Sequence, residues 1–285
     1  MTEYIEYGVF ALVGLLAAQG FSRRKRGIGG TDTARQALVA CGHLLRLIGH
    51  VQQHRGMSSA WLAGDQSFAQ RLIAKRTEID ALFQPLQEAA LEELKQASPC
   101  LTPNELSLFR FKWRSLTDGL ANMSVEKSIA DHSQLIATAL DWLDAVGDAR
   151  VALSLSGRLP TGLVKNYAHR LPALTECLGQ ARAIGSGVAA KGTCSAVARV
   201  RLMFLVSRAE SLLDQACGVN EGPANDADKA RVAVKSLAQL IRERMLTSDH
   251  VDVTTDSYFA QATRAIEDVF AWIRDCGEAL EQRLV

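Results

Sequence analysis

Residues 50–59, HVQQHRGMSS, place two imidazoles, a guanidinium and two hydroxyls where the apolar stripe of a helix would otherwise continue. His50 and His54 are four apart and share a helix face, the spacing that zinc proteases use for two metal ligands. The residue after the first histidine is Val51 rather than the general-base Glu, and no third ligand accompanies them, so no metal is expected. Arg55 is better placed for chemistry. It stands beside Gly56, Ser58 and Ser59, and a guanidinium fork with hydroxyl donors and a glycine that admits close approach can build an anion site.

A second cluster has the same character. Residues 182–192, RAIGSGVAAKG, put Gly185, Ser186 and Gly187 inside a helical pattern, where each glycine costs about 1 kcal/mol relative to alanine. A tight helix crossing would offset that cost, and it would bring Arg182 opposite Arg55. Two desolvated arginines on facing helices need a carboxylate or a bound anion. Paired catalytic carboxylates, a nucleophile elbow and a phosphate loop are all missing from the sequence, so the chain does not read as an enzyme and no cofactor is expected.

The chain that carries these groups has 285 residues, 48% of them hydrophobic and 22% charged, the composition of a globular protein. Its formal charge is +1, which provides no global field for nucleic acid, so any anion site must be local. The six cysteines form no Cys-x-x-Cys pair and suit a reducing compartment.

Apolar residues recur at helical spacing, and no segment alternates as a strand would. Leu38, Cys41, Leu45 and Ile48 make one stripe, widened by Leu44, Leu47 and Val51. A second helix is expected over 66–96 with a kink at Pro85. Thr102, Pro103 and Glu105 form a capping box that starts a third, with Leu106, Phe109, Trp113 and Leu116 facing inward. Ser124 caps a fourth, which Gly157 and Pro160 end. Helices over 161–191, with a kink at Pro172, then 195–217, 228–246 and 256–285 repeat the texture. The pattern predicts an all-α fold of two stacked four-helix bundles. The stripe Phe259, Ile266, Val269, Phe270, Ile273 and Leu280 on the last helix reads as core, with a homodimer seam as the other reading.

Residues 8–21, GVFALVGLLAAQGF, are uncharged and are followed by Arg23, Arg24, Lys25 and Arg26. The charge order is inverted relative to a signal peptide, and Tyr4, Ile5 and Tyr7 bring the run close to the roughly 20 residues that span a bilayer. Residues 1–30 are therefore expected to be a short single-pass membrane anchor with a basic linker. The expected site is the inner (cytoplasmic) membrane, with residues 31–285 as one helical domain in the cytoplasm. Residues 27–33, GIGGTDT, read as flexible.

Three stretches resemble the nitrate- and nitrite-sensing (NIT) family of bacterial signalling proteins. VQQHRGMSS at 51–59 is similar to its Gln-x-x-Arg-Gly-x-Ser signature, LGQARAIGSG at 178–187 to a mid-domain Arg-x-x-Gly segment, and DSYFAQATRAI at 256–266 to the opening of its last helix. The resemblance spans roughly residues 34–285. It implies nitrate or nitrite held between helices by Arg55 and Arg182, with Gly56, Ser58, Ser59, Gly185 and a third arginine, Arg264, as further contacts. Nitrate is a planar, weakly hydrated monoanion that suits the coplanar N–H pairs of arginine. The family commonly has Glu before the first arginine, where this chain has His54. Its members usually carry an output domain, and here the last motif lies about one helix from the end. The expectation is a sensor that signals through a separate protein partner, the alternative a helical scaffold or adaptor that has the fold but binds no ligand.

Overall fold

The computed structural model describes residues 3–153, 161–219, 224–247 and 250–284, with side chains from residue 32 onward, residues 224 and 225 excepted. Among the described residues every regular element is helical. The first bundle is built from α1 (Glu3–Leu62), α2 (Ala69–Ala81) with α3 (Phe83–Glu93), α4 (Pro103–Gly119) and α5 (Val125–Val146). The second comprises α6 (Thr161–Lys165) with α7 (Leu171–Lys191), α8 (Ala196–Cys217), α9 (Ala224–Leu240) and α10 (Thr255–Gln282).

Local chemistry explains the boundaries. Thr102 accepts from the Glu105 amide and the Glu105 carboxylate accepts from the Thr102 amide, the reciprocal box that starts α4. Ser124 caps α5 through the Lys127 amide. The break expected at Pro85 falls three residues earlier, at Leu82 between α2 and α3. Pro85 has no N–H for the carbonyl of Ala81 and its ring crowds that carbonyl, so the helix yields there. Pro172 likewise denies Ala168 an α-helical partner, and the chain accommodates it with a π-turn at Asn166–Arg170.

Burial follows the expected stripes. Leu38, Cys41, Leu44, Leu45, Ile48 and Val51 of α1 are buried with Phe109, Trp113 and Leu116 of α4 and Ile136 and Leu143 of α5. Trp113 is fully buried and its indole N–H donates to Asp80 at 3.0 Å, so the largest apolar side chain carries no unpaired polar atom. On α10, Ile266, Val269, Ile273 and Leu280 of the expected stripe are buried, as is Tyr258, while Phe270 is part-buried and Phe259 is 42% exposed. The cores of the two bundles form one continuous apolar cluster. They meet where Gly147 crosses Ala168 so closely that a Cβ on Gly147 would stand 2.4 Å from that methyl group.

Helix α1 runs through residues 27–33, the stretch expected to be a flexible linker. Among the described residues no helix is long and apolar enough to cross a membrane. The side chains of residues 8–26, the expected anchor and its basic flank, lie outside the described residues, as do Gly157 and Pro160, expected to end the fourth helix.

Candidate anion-binding site

Arg55 leaves α1 at the junction of the two bundles and is 1% exposed. Its Nη1 donates to Glu176 Oε1 at 2.7 Å and to Ser133 Oγ at 2.8 Å, and its Nη2 to Glu176 Oε2 at 3.1 Å. Glu176 stands on α7 and Ser133 on α5, so one guanidinium ties three helices. The carboxylate also accepts from Gln52 Nε2 at 3.1 Å and Gln180 Nε2 at 2.8 Å, giving each oxygen two donors. A buried carboxylate needs this, because a lone ion in a low-dielectric interior costs several kcal/mol. Gly179 makes the approach possible: a Cβ there would lie 2.7 Å from Arg55 Nη2.

Arg182, two turns further along α7, is placed differently. It is 8% exposed, its Nη1 donates to Thr263 Oγ1 of α10 at 3.0 Å, and its guanidinium carbon sits 5.0 Å from the Phe259 ring centroid. No carboxylate among the described residues lies within ion-pair distance of it. Burial first, and the neighbouring Arg55 second, push it down to about 10, so it stays charged at neutral pH. A Cβ on Gly56 would come within 3.3 Å of its Nη2; the glycine lets the guanidinium lie against α1.

Arg182 forms part of the wall of a cleft of about 550 Å³ between α1, α2, α7 and α10. Gln52, Gly56, Met57, Phe259 and Thr263 share that wall, and Arg71, Lys75, Glu78 and Glu267 carry its other charges. Gln52 Oε1 is buried with no partner. The donor atoms suit an anion: a planar fork with a hydroxyl behind it, in a site with apolar walls.

The other expected contacts are scattered. Ser58 is fully buried against His54, with 3.2 Å between its Oγ and His54 Nδ1, and Ser59 donates to the Arg55 carbonyl at 2.9 Å; neither lines the cavity. Gly185 serves a neighbour: a Cβ there would lie 2.2 Å from Tyr258 Oη, which donates to the Ala181 carbonyl at 2.7 Å. Arg264 is exposed on α10 and does not line the cavity. His50 and His54 diverge, His50 meeting Lys75 and Glu78 at the surface. His54 lies 2.7 Å from His132 Nε2, and the His132 Nδ1 lies 2.6 Å from the Ser128 carbonyl, which makes Nδ1 of each ring the donor. Burial and the mutual contact lower His54 to about 3; burial and Arg55 lower His132 to about 4. Among the described residues no cluster of His, Cys, Asp and Glu is arranged to hold a metal ion.

The sequence profile for nitrate and nitrite sensing domains matches residues 46–284. The chain belongs to the nitrate- and nitrite-sensing family. Among solved structures, the NasR transcription antiterminator is similar, at 19% identity over 94% of this chain and 74% of that one, with a TM-score of 0.73. That likeness establishes a shared all-helical fold. No curated protein matches.

Thr263 and Phe259 share the Arg182 cavity, and Glu176 and Ser133 hold Arg55 beside a second one; none of the four is among the contacts the sequence suggests. Glu176 leaves a trace in the sequence: it is the only charge in residues 171–181, LPALTECLGQA, and a lone carboxylate in an apolar helix demands a cation. The position of Ser133 on a polar stretch of α5 leaves none.

Proposed function

We propose that the cavity lined by Arg182 binds nitrate or nitrite and that this chain is a sensor that passes the signal to a separate protein partner. The observation that carries the reading is Arg182 itself, a buried guanidinium on a cavity wall with no carboxylate partner among the described residues. Membership of the family supports the choice of anion. Arg55 holds the Glu176 carboxylate in the present arrangement and supports the site from behind; Gly56 and Thr263 shape and complete it. In this reading residues 31–285 are the sensor domain and residues 1–30 a single-pass anchor that keeps it on the cytoplasmic face of the inner membrane. The uncharged run 8–21 followed by Arg23, Arg24, Lys25 and Arg26 supports the anchor.

Thermal unfolding of the full chain with nitrate, nitrite, chloride and perchlorate at matched ionic strength tests the ligand. A site that binds only the folded state adds about 2.7 kcal/mol at a hundredfold excess over Kd. For a domain of this size that raises Tm by roughly 5–10 °C. The rise should occur with nitrate or nitrite beyond chloride and vanish in Arg182→Gln. One observation favours a second reading, a scaffold or adaptor that binds no ligand: Arg55 is already satisfied by Glu176 and Ser133. Equal Tm values in all four salts, with a stable protein partner recovered on the chain, would select it.

A further inference from the structure

We infer that Glu176 sets the charge of the anion site and thereby its selectivity for monovalent over divalent anions. The inference rests on the proposed binding of nitrate or nitrite. The charges around the cavity fall into two groups. Arg71, Glu78 and Glu267 are exposed and Lys75 is part-buried, two of each sign, with Lys75 and Glu78 paired to each other. Arg182 is buried on the cavity wall, and Arg55 and Glu176 are buried next to it without lining the cavity. Those four charges sum to zero, and the buried set of two guanidiniums and one carboxylate leaves a single positive charge.

The pairing decides which arginine carries that charge. Glu176 engages Arg55 through two parallel N–H···O bonds, and Gln52 and Gln180 occupy the remaining lone pairs. A carboxylate is itself a planar oxyanion fork, so on Arg55 the place of an external oxyanion is already taken by one from α7. Arg182, offset along the same helix, feels Glu267 and Glu176 only through space, and its direct contacts are a hydroxyl and an aromatic face. A monovalent oxyanion on Arg182 brings the buried set to neutrality. A divalent one leaves an uncompensated negative charge in an interior where it is poorly screened, so it is rejected without any steric exclusion.

Calorimetric titration of the full chain with nitrate, nitrite and sulfate, at fixed ionic strength, tests this. In the wild-type chain sulfate should bind at least tenfold more weakly than nitrate. Glu176→Gln keeps the side-chain shape and frees the second guanidinium, and sulfate should then gain tenfold or more relative to nitrate. That variant strips a buried cation of its partner and can unfold the protein. Gln52→Lys makes the same change in charge without removing a partner, because an ammonium replaces the amide donor to Glu176 beside the same cavity. Its sulfate-to-nitrate ratio should move in the same direction. Wild-type binding of sulfate as tight as nitrate overturns the inference, and so does either folded variant that binds nitrate with the wild-type ratio. A wild-type chain that binds none of these anions overturns the proposed ligand instead, and the inference about Glu176 goes with it.

Discussion

Acid should weaken this protein well before its carboxylates titrate, through the His54–His132 pair. The two imidazoles are 2% and 0% exposed and are lowered to about 3 and about 4, so both are neutral in the folded chain at pH 5.5. In the unfolded chain each returns to about 6.5 and takes up a proton as pH falls. Both folded values are depressed, so the unfolded state binds the protons: this stability is complete above pH 6.5 and is lost as pH drops toward 4. Between pH 7.5 and 5.5 each histidine contributes a loss of about 1.4 kcal/mol, about 3 kcal/mol for the pair. His43 and His50, both part-exposed and also lowered chiefly by burial, add a smaller share in the same direction. Urea denaturation at pH 7.5, 6.5 and 5.5 measures the loss directly. His54→Gln should remove about half of it, and the double variant with His132→Gln nearly all. A free energy that stays flat over this range, or the full loss persisting in the double variant, would refute the neutral-pair assignment.

Three further perturbations follow from the packing. Arg55→Met leaves Glu176 buried with only amide donors and should cost about 3–5 kcal/mol in urea denaturation, most of it recovered on adding Glu176→Met. Gly185→Ala forces a methyl group into the Tyr258 ring and should cost about 1–3 kcal/mol, seen as a lowered Tm. Thr102→Ala removes the α4 capping box at an exposed site and should cost about 1 kcal/mol by the same measurement, with anion response unchanged.

The helices were legible in the sequence because their signals are local: the Thr102 box, the Ser124 cap and the stripes on α1 and α10 each depend on residues within two turns. The prolines were located correctly as disturbances but not in form, since the backbone yields at the acceptor that proline deprives rather than at the proline. Arg55 and Arg182 stand out because one adjoins Gly56 and the other lies one turn from Gly185, and Gly56 does open the approach for Arg182. What the sequence could not convey was the pairing. Local spacing treats the two arginines as equivalent anion contacts, yet Glu176 lies on the same helix as Arg182 and pairs with Arg55. That choice is made by the crossing of α1 and α7, a tertiary geometry in which Gly179, rather than the noticed Gly185, admits the guanidinium.

The division of labour between the two arginines bears on how a bound anion could move helices. Shifting a two-state equilibrium from 1:99 to 99:1 takes about 5.5 kcal/mol of differential binding, and one charge-assisted hydrogen bond contributes roughly 1.5–3 kcal/mol. An anion that met Arg182 alone, in either arrangement, would bind both equally and shift nothing. It must gain at least two such bonds from groups whose separation changes. Arg182 rides on α7, Thr263 and Phe259 on α10 and Gly56 on α1, so a ligand among them spans helices of both bundles. The Arg55–Glu176 pair, with Ser133, ties α1, α5 and α7 together and makes no hydrogen bond to α10 among the described residues. Under the proposed function, Arg182 would supply the affinity and the Arg55–Glu176 pair the leverage.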